Sequence, residues 1–385
     1  MKFSANHSEL LPLAKMLAAV VNKHSTLPML TCVHMAADSS QNTVVFTATN
    51  LETTLQLRHK CIVAESGTCL LPADSWPAIL GHCDKDFQVL TVTADDSGIA
   101  VQNGKTLYQF AAMSTKDFPL PKFEQPESLT DLGKLLPLAA QTARYAALPD
   151  SGKAGLSCAH LRLADGKLRV ESSDGYRAAW SEQEIASSNA FDLLVSVDSL
   201  KTLASIMGKN ATCKIGKAGK FLLALSPSLI FATRLSEQSY PDLQRITGRL
   251  TPEYRAKLPA DIFALAVRSA LVKTDKQTLL RLKFDDRKLC LQSDNGYANS
   301  ALAKSQIEVP AEVETLTPVQ GFLYSCRNMQ DCLRMLGKGE LALEIDRMGY
   351  LRLSTGQIEQ LILPHREPSR QANQTVKKTA KKSAA

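Results

Sequence analysis

Side chains that could carry catalysis are scattered along this chain of 385 residues. Its seven histidines show no pairing at metal-ligand spacing, and its nine cysteines include no Cys-x-x-Cys pair. His82-Cys83 fits a helix end better than a nucleophile pair, and Asp95-Asp96 fits a hairpin turn in which carboxylates cap backbone amides. No glycine-rich phosphate loop occurs. We therefore predict a protein that is not an enzyme and has no catalytic residue, bound metal or cofactor.

The net charge of +7 is concentrated at the C-terminal end. Residues 366–385 hold six basic side chains and one acidic side chain, hence +5 of the total, so the other residues carry only +2. This segment contains no large apolar residue beyond Val376, which predicts a disordered basic tail. An anion-binding surface elsewhere would require basic residues gathered on one face.

The cysteines and the apolar segments bear on localisation. An odd number of cysteines without paired spacing favours a reduced, cytosolic set of thiols over a disulfide framework. The apolar run Leu10–Val21 has the length of a signal-peptide core, but Lys15 interrupts it and no small-residue cleavage pattern follows. No stretch approaches membrane-spanning length. We expect a cytoplasmic protein with no membrane partner.

Internal repetition at intervals of about 120 residues determines the domain organisation. The pentapeptide Leu-Leu-Pro-Leu-Ala occurs twice and then in a looser form, with copies that end at Ala14, Ala139 and Ala266. A proline after an aromatic or aliphatic residue recurs in the same register at Pro119, Pro241 and Pro364. We predict three domains of similar structure at 1–122, 123–246 and 247–365, followed by the basic tail at 366–385.

Each repeat is predicted to contain two helices and several short strands. The first helix of the first repeat has apolar residues at helical spacing after Ser8, a candidate N-cap, and its equivalents begin near Leu135 and Ile262. Strands with β-branched or alternating apolar residues follow at 43–49, 167–172 and 288–292. Helix, strands, helix, strands is an α+β pattern with antiparallel sheets, since a doubly wound parallel sheet would alternate strands and helices throughout.

Several short motifs along the chain resemble those of a known family in their order and spacing. They include Thr-Leu-Pro-Met-Leu at 26–30, Thr-Asn-Leu-Glu at 49–52, Ser-Asp-Gly-Tyr-Arg at 173–177 and Tyr-Pro-Asp at 240–242. Over about residues 1–366 the chain resembles the bacterial sliding clamp, the β subunit of DNA polymerase III. The resemblance implies three repeated DNA-clamp domains, each with two helices packed on antiparallel sheets, and a head-to-tail ring of two chains.

The same resemblance implies the partners. Duplex DNA would occupy the channel of the homodimeric ring without sequence readout, and DNA polymerase III, a clamp loader and other replication or repair proteins would bind the ring. The alternative is a clamp-like scaffold or regulator that binds partners without closing around DNA.

Basic residues on or next to the repeat helices are the DNA-binding candidates that the resemblance implies. They are Lys15, Lys23, His24, Arg144, Lys201, Lys209, Arg268, Lys273, Arg327 and Arg334. The alternative is that they are ordinary solvated helix charges. His24 stands where the family has an arginine, so a DNA contact there would be weaker or would pass to Lys23.

The resemblance also implies a partner cleft between the second and third repeats. It comprises Leu156, Ser173, Gly175, Tyr176, Arg177, Ala178, Pro241, Arg245, Ile246, Tyr350, Leu361, Leu363, Pro364 and His365. We expect an apolar pocket with two guanidinium groups at its edge, suited to a peptide with aliphatic or aromatic anchors. Turn chemistry alone is the alternative for Gly175 and Pro241. His365 stands where the family has an apolar side chain, which would alter peptide preference.

Two further segments have competing interpretations. Gln-Leu-Ile-Leu at 360–363 looks like a clamp-binding peptide, but its place in the repeat predicts a closing strand. The tail at 366–385 departs from the family, and its charge suggests either a nonspecific DNA tether or a segment that competes for the cleft. A passive extension is the third possibility.

Overall fold

A computed structural model describes residues 1–84, 86–145, 152–153, 155–208, 212–272, 278–285, 287–294, 304–315 and 321–365. The chain divides into two compact units. Unit 1 is Met1–Gln141, Cys158–Leu168 and Glu184–Gln238, and unit 2 is Thr142–Ser157, Arg169–Gln183 and Ser239–Ala385. Both units take in parts of the predicted middle domain, so the boundaries of the three domains stay a prediction.

The elements follow one another in three similar series. The first contains β1 (Lys2–Asn6), α1 (His7–Ala18), β2 (Cys32–Asp38), β3 (Thr43–Thr49), β4 (Thr53–Lys60), β5 (Ile62–Glu65), β6 (Gly67–Pro72), α2 (Ser75–Gly81), β7 (Val89–Asp95), β8 (Gly98–Asn103) and β9 (Thr106–Phe110). The second contains β10 (Thr130–Asp131), α3 (Leu136–Thr142), β11 (Cys158–Ala164), β12 (Lys167–Ser173), β13 (Arg177–Glu184), β14 (Phe191–Ser196), α4 (Val197–Met207), β15 (Lys214–Ala218), β16 (Phe221–Ser226), β17 (Leu229–Arg234) and the short connector helix α5 (Leu243–Thr247). The third contains β18 (Pro252–Pro259), α6 (Ala260–Ala270), β19 (Leu279–Asp285), β20 (Lys288–Asp294), β21 (Lys304–Pro310), β22 (Glu312–Thr315), β23 (Phe322–Ser325), α7 (Cys326–Leu333), β24 (Glu340–Asp346), β25 (Leu351–Thr355) and β26 (Ile358–Ile362).

The predicted α+β class with antiparallel sheets is confirmed. Each series places a helix after its first strand and a second helix before its closing strands. The strand expected at 360–363 is β26, as the repeat position predicted. Among the described residues, no helix is long and apolar enough to cross a membrane.

Helix α1 illustrates how the sequence specifies a local element. Leu10, Ala14 and Leu17 are buried at helical spacing, as the apolar pattern predicts. The N-cap is Asn6, because its side-chain oxygen accepts a hydrogen bond from the Ser8 backbone N–H at 2.9 Å. The prediction of Ser8 as the cap was therefore wrong by two residues.

Unit 1 contains two large antiparallel sheets. Eight strands lie in the order β10-β15-β16-β17-β4-β3-β2-β6, and five lie in the order β5-β1-β7-β8-β9. Phe3 and Phe46 are buried, one on each sheet, with their rings edge to face and their centres 6.4 Å apart. Strand β9 forms one edge of the five-stranded sheet.

Unit 2 contains two corresponding arrays. One is a four-stranded sheet in the order β21-β20-β19-β23, and the other runs β13-β26-β25-β24-β18-β22. Helices α6 and α7 contact each other, as α1 and α2 do in unit 1. Strand β21 forms one edge of the four-stranded sheet.

One strand pairing occurs twice and joins successive repeats. In unit 1, β4 pairs antiparallel with β17 and places Thr54 opposite Ala232. In unit 2, β13 pairs antiparallel with β26 and places Ala178 opposite Leu361. In both cases the strand that follows the polar turn of one repeat pairs with the last strand of the next repeat. The chain thus builds the same junction twice, with different side chains at it.

Candidate peptide-binding cleft

The turn between β12 and β13 is held by its own side chains. Asp174 Oδ1 accepts hydrogen bonds from the backbone N–H groups of Tyr176 at 2.9 Å and Arg177 at 3.0 Å. Ser173 Oγ accepts from the Gly175 N–H at 3.1 Å and donates to the Arg177 carbonyl at 2.8 Å. Gly175 has a φ of +85°, a left-handed conformation that favours glycine. The motif Ser-Asp-Gly-Tyr-Arg therefore encodes a rigid turn, as the turn-chemistry interpretation predicts.

The first repeat forms the same turn with a different residue at the strained position. Asn50 Oδ1 accepts from the N–H groups of Glu52 at 3.1 Å and Thr53 at 2.7 Å. Leu51 occupies the place of Gly175 with a φ of +74°. A left-handed leucine costs about 1–2 kcal/mol relative to a relaxed backbone. The recurrence of this turn at the start of both β4 and β13 supports the repeat inferred from sequence.

An apolar cluster adjoins the second turn. Ala178, Trp180, Leu243 and Leu361 are buried together, and four half-buried residues pack against them, namely Tyr240, Leu250, Tyr350 and Leu363. Ala178, Tyr350, Leu361 and Leu363 were predicted from the sequence, and the other four were not. Trp180 could have been found, since it lies two positions after Ala178 on β13 and so faces the same side of the sheet.

The end of β26 runs beside the turn. The Leu363 N–H donates to the Tyr176 carbonyl at 2.9 Å, and the His365 N–H donates to the Leu323 carbonyl at 2.7 Å. Pro364 is half-buried and His365 is exposed. These contacts bring the predicted segment at 363–365 to the predicted turn.

Leu156 and a lysine that the prediction omitted lie on the other side of the turn. A Cβ added at Gly175 would lie 3.7 Å from Leu156 Cδ1 and 3.1 Å from Lys153 Nζ. The Lys153 ammonium also lies 4.0 Å from the centre of the Tyr176 ring and donates to the Asp174 carbonyl. Tyr176 is 61% exposed, so a large aromatic side chain with a cation beside it stands open to solvent.

Helix α5 supplies the remaining predicted residues. It follows Pro241, and Asp242 caps it by accepting a hydrogen bond from the Arg245 N–H at 3.0 Å. Leu243 anchors the helix in the apolar cluster, whereas Ile246 stays 43% exposed. Arg245 is exposed, so its guanidinium is available at the pocket edge as predicted.

Arg177 differs from that expectation, because its guanidinium is engaged within the protein. Its Nε lies 2.9 Å from Asp174 Oδ2 and its Nη1 lies 2.7 Å from Asp331 Oδ2, with only 12% of the side chain exposed. The guanidinium carbon lies 4.5 Å from the centre of the Tyr145 ring. Burial alone would lower the pKa of Arg177, but the hydrogen bond to Asp331 and the charge of Asp174 raise it. The expected pair of guanidinium groups at the open edge is thus reduced to Arg245.

A buried polar network continues from Tyr145. Its hydroxyl donates to Gln360 Oε1, and Gln360 Nε2 donates to the Cys332 carbonyl at 3.3 Å. Gln360 is fully buried and Tyr145 is 2% exposed. Burial raises the pKa of the Tyr145 hydroxyl, so it stays a neutral donor. The network connects β26, the strand that carries Leu361, to the residues of α7.

The predicted DNA-binding residues that the structure describes are all exposed. They are Lys15 on α1, Lys23 and His24 after it, Arg144 after α3, Lys201 on α4, Arg268 on α6, Arg327 on α7 and Arg334 at its C-terminal end. Lys209 and Lys273 lie outside the described residues, as does the tail at 366–385. Exposure suits both a DNA contact and a solvated charge, so the role of these residues stays a prediction.

The weak catalytic candidates have structural roles. His82 is the C-cap residue of α2, and its Nδ1 lies 2.8 Å from the Ala78 carbonyl. Burial raises the pKa of the adjacent Cys83 thiol, which opposes formation of a thiolate nucleophile. Asp95 caps the β7–β8 turn by accepting from the Ser97 N–H at 2.8 Å. Within the described residues, no group of three His, Cys, Asp or Glu side chains could hold a metal ion.

The chain is similar in sequence to several proteins that share one name. The beta sliding clamp of Synechococcus elongatus is 25% identical over 327 residues, which cover 81% of this chain and 84% of that protein. The beta sliding clamp of Pseudomonas aeruginosa is 24% identical over 321 residues, which cover 80% of this chain and 84% of that protein. No family model matches the chain.

Solved structures agree with the sequence relatives. The DNA polymerase III subunit beta of P. aeruginosa superposes with a TM-score of 0.86 at 18% identity, over 95% of this chain and all of that one. The beta subunit of Thermotoga maritima gives a TM-score of 0.85 at 16% identity, over 95% of this chain and all of that one. These similarities establish the fold and confirm the fold that the resemblance implied.

Proposed function

We infer that this protein is a DNA sliding clamp, because the chain belongs by sequence and fold to the bacterial beta sliding clamp family. It encircles duplex DNA as a ring-shaped homodimer and tethers DNA polymerase III and other DNA-handling proteins through the cleft beside Tyr176. A clamp loader opens the ring onto DNA. The role is topological and requires no catalytic group.

The repeated junction is the observation that carries the ring. Each junction joins the strand after the polar turn of one repeat to the last strand of the next repeat, as β4–β17 and β13–β26 do. In the third repeat β21 is the equivalent of β4 and β13, and in the first repeat β9 is the equivalent of the last strands β17 and β26. Within the described residues, β21 and β9 each form a sheet edge. Head-to-tail pairing of β21 with β9 of a second copy uses both edges. Closure at two chains is what the resemblance to the family implies.

The side chains of β9, one of the two edge strands, suit such pairing. Strand β9 has the sequence Thr-Leu-Tyr-Gln-Phe, which carries no charge, and its Leu107 is 53% exposed. Monomeric proteins usually protect a sheet edge with charges, prolines or a covering element. An uncharged edge strand with an exposed leucine favours a partner strand beside it.

The cleft suits a short linear peptide. Its buried floor around Ala178 and Leu361 is apolar, and two large apolar side chains, Tyr176 and Ile246, remain exposed on the elements that surround it. Backbone groups at the turn and Arg245 supply the polar edge. Pockets of this composition recognise aliphatic or aromatic anchors and orient them with few hydrogen bonds.

The charge distribution suits sliding rather than tight binding. Outside the tail the chain carries only +2, while basic residues such as Lys15, Arg268 and Arg327 are exposed on the repeat helices. Many close phosphate contacts would make retention strongly dependent on salt and would slow movement along DNA. A mildly positive channel avoids both effects, because the ring and not the charge prevents escape.

Retention on DNA of different topology tests the function. Labelled protein is loaded onto nicked circular plasmid with the clamp loader of its host, separated from free protein, and then challenged by a single cut with a restriction enzyme. We expect retention on the circle and rapid loss after cutting. Plasmid whose ends are blocked by bound streptavidin is the matched control and should retain the protein.

Two outcomes would contradict the clamp. Equal retention on circular and free-ended DNA would indicate a groove-binding protein. A strict monomer at micromolar concentration, measured by light scattering, would favour the alternative scaffold that binds partners without enclosing DNA.

A further inference from the structure

Asp331 lies on α7, outside the set of residues that surround the cleft, yet it contacts the cleft turn directly. Its Oδ2 lies 2.7 Å from Arg177 Nη1, and its Oδ1 lies 3.0 Å from Arg334 Nη1. The Asp331 side chain is 23% exposed and that of Arg177 is 12% exposed, whereas that of Arg334 is 65% exposed. One carboxylate therefore holds a shielded arginine of the cleft turn and a solvated arginine at the end of α7.

The shielded pair is the stronger of the two. Charge-assisted hydrogen bonds that are removed from water strengthen because less solvent screens them. The Arg334 pair is exposed, and exposed pairs of this kind contribute little. The Arg177 pair is therefore the contact through which Asp331 acts.

Arg177 transmits this contact to the shape of the turn. Its Nε is bound by Asp174 Oδ2 at 2.9 Å, and the other oxygen of Asp174 holds the N–H groups of Tyr176 and Arg177. Movement of the Arg177 guanidinium would therefore disturb the carboxylate that organises the whole turn. Tyr176, whose side chain is more exposed than that of Ile246, the other large apolar side chain exposed at the cleft, stands on that turn.

Helix α7 gives Asp331 a fixed position from which to act. The carbonyl of Cys332, the next residue, accepts the hydrogen bond from Gln360 on β26. Gln360 precedes Leu361, which lies in the buried floor of the cleft. Asp331 thus connects the turn to a helix that is itself bound to the strand beneath the cleft.

We propose that Asp331 is a positioning residue of the peptide cleft, and that it acts through Arg177, which holds the turn in shape instead of contacting the peptide. The inference rests on the proposed function of the cleft. Neutralising Asp331 removes the contact that holds Arg177 to α7, loosens the turn at 173–177, and makes the peptide order the turn on binding. Loss of preorganisation of this kind lowers affinity, here by about 3- to 30-fold.

A double-mutant cycle with two readouts tests the proposal. The variants are Asp331→Asn, Arg177→Gln and the pair combined, with Glu237→Gln as a control that removes an exposed ion pair to Lys220 (3.0 Å) in unit 1. The probe for affinity is a fluorescein-labelled peptide Gln-Leu-Ile-Leu-Phe, followed by polarisation. The second readout is amide hydrogen exchange at 173–177, measured without peptide on the full chain, with the midpoint of thermal unfolding recorded for each variant.

We expect both single variants to lose affinity and to exchange faster at 173–177. The double variant should lose no more affinity than the more affected single variant, because both changes break the same contact between Arg177 and Asp331. Asp331→Glu should restore part of the affinity, and Glu237→Gln should change neither readout.

Direct contact between Arg177 and the peptide would give a different pattern, with Arg177→Gln weakening binding while Asp331→Asn does not. That pattern, additive losses, or unchanged exchange in Asp331→Asn would overturn the proposal. If the wild-type protein does not bind the peptide while Asp331→Asn still accelerates exchange at 173–177, the proposed cleft function fails and the positioning of the turn by Asp331 stands.

Discussion

Proline in place of Gln109 tests whether β9 pairs with a second copy of the chain. Strands β8 and β9 are joined by a two-residue turn, across which Asn103 pairs with Thr106. Residues that flank such a turn form a hydrogen-bonded pair, and bonded pairs then alternate along the hairpin. The N–H groups of Leu107 and Gln109 therefore point away from β8. Gln109→Pro removes one outward donor and keeps every bond of the hairpin.

The expected size of the effect follows from the ladder. A lost backbone hydrogen bond that leaves a carbonyl of the facing strand without a donor costs about 1–3 kcal/mol. A ring of two chains contains this interface twice, so the dimer loses about 2–6 kcal/mol. The dissociation constant of the dimer should rise about 30-fold to 10⁴-fold.

Sedimentation velocity over a concentration series measures this constant. Gln109→Ala is the matched control, because it removes the same exposed side chain but keeps the N–H group, and it should dimerise like the wild type. The thermal unfolding midpoint of the proline variant verifies that the five-stranded sheet is intact. A dissociation constant for Gln109→Pro within about threefold of the control would refute the β9–β21 pairing and, with it, the argument for ring closure.

Three further outcomes are expected. Burial lowers the pKa of His34 below 6.5 in the folded protein, so the stability of unit 1 should fall as the pH falls below that value. His34→Leu should reduce the dependence of the urea midpoint on pH between about pH 7.5 and about pH 5, and the remaining slope should include a contribution from His59, whose pKa burial also lowers. Equal slopes in the variant and the wild type would contradict this. Tyr145→Phe leaves the buried Gln360 oxygen without its donor and should lower the free energy of unfolding of unit 2 by about 1–3 kcal/mol in urea titrations, and a loss below about 0.5 kcal/mol would show that this bond is dispensable. Deleting 366–385 should weaken retention on DNA at low salt and reduce its salt dependence if the tail is a tether, should raise peptide affinity if the tail competes for the cleft, and should change neither if it is a passive extension.

Local patterns predicted much of this fold. The apolar spacing of Leu10, Ala14 and Leu17 determines the buried face of α1, and β-branched residues define β3 at Thr43–Thr49. Repetition supplied what local patterns lack, since it predicted 360–363 as a closing strand and not as a peptide motif. The turn at 173–177 was predictable from its local sequence, because its side chains form hydrogen bonds with their own backbone.

Long-range polar contacts were not predictable. Arg177 and Asp331 lie 154 positions apart, and Tyr145 and Gln360 lie 215 apart. An arginine in a turn motif looks available for a ligand until the acid that neutralises it is located. Only the tertiary structure shows that Arg177 is engaged while Arg245 stays exposed.

The two equivalent strand junctions bear on stoichiometry. At the first junction Thr54 is buried opposite Ala232, and its hydroxyl lies 2.8 Å from that of Thr49, so the floor there is partly polar. At the second junction Ala178 and Leu361 give an apolar floor. In the proposed ring each chain would contribute one apolar junction of the β13–β26 kind, so two docking places of this kind would be present. Polymerase and repair proteins would compete for two places on one ring, and their local concentrations would determine which of them acts on the DNA.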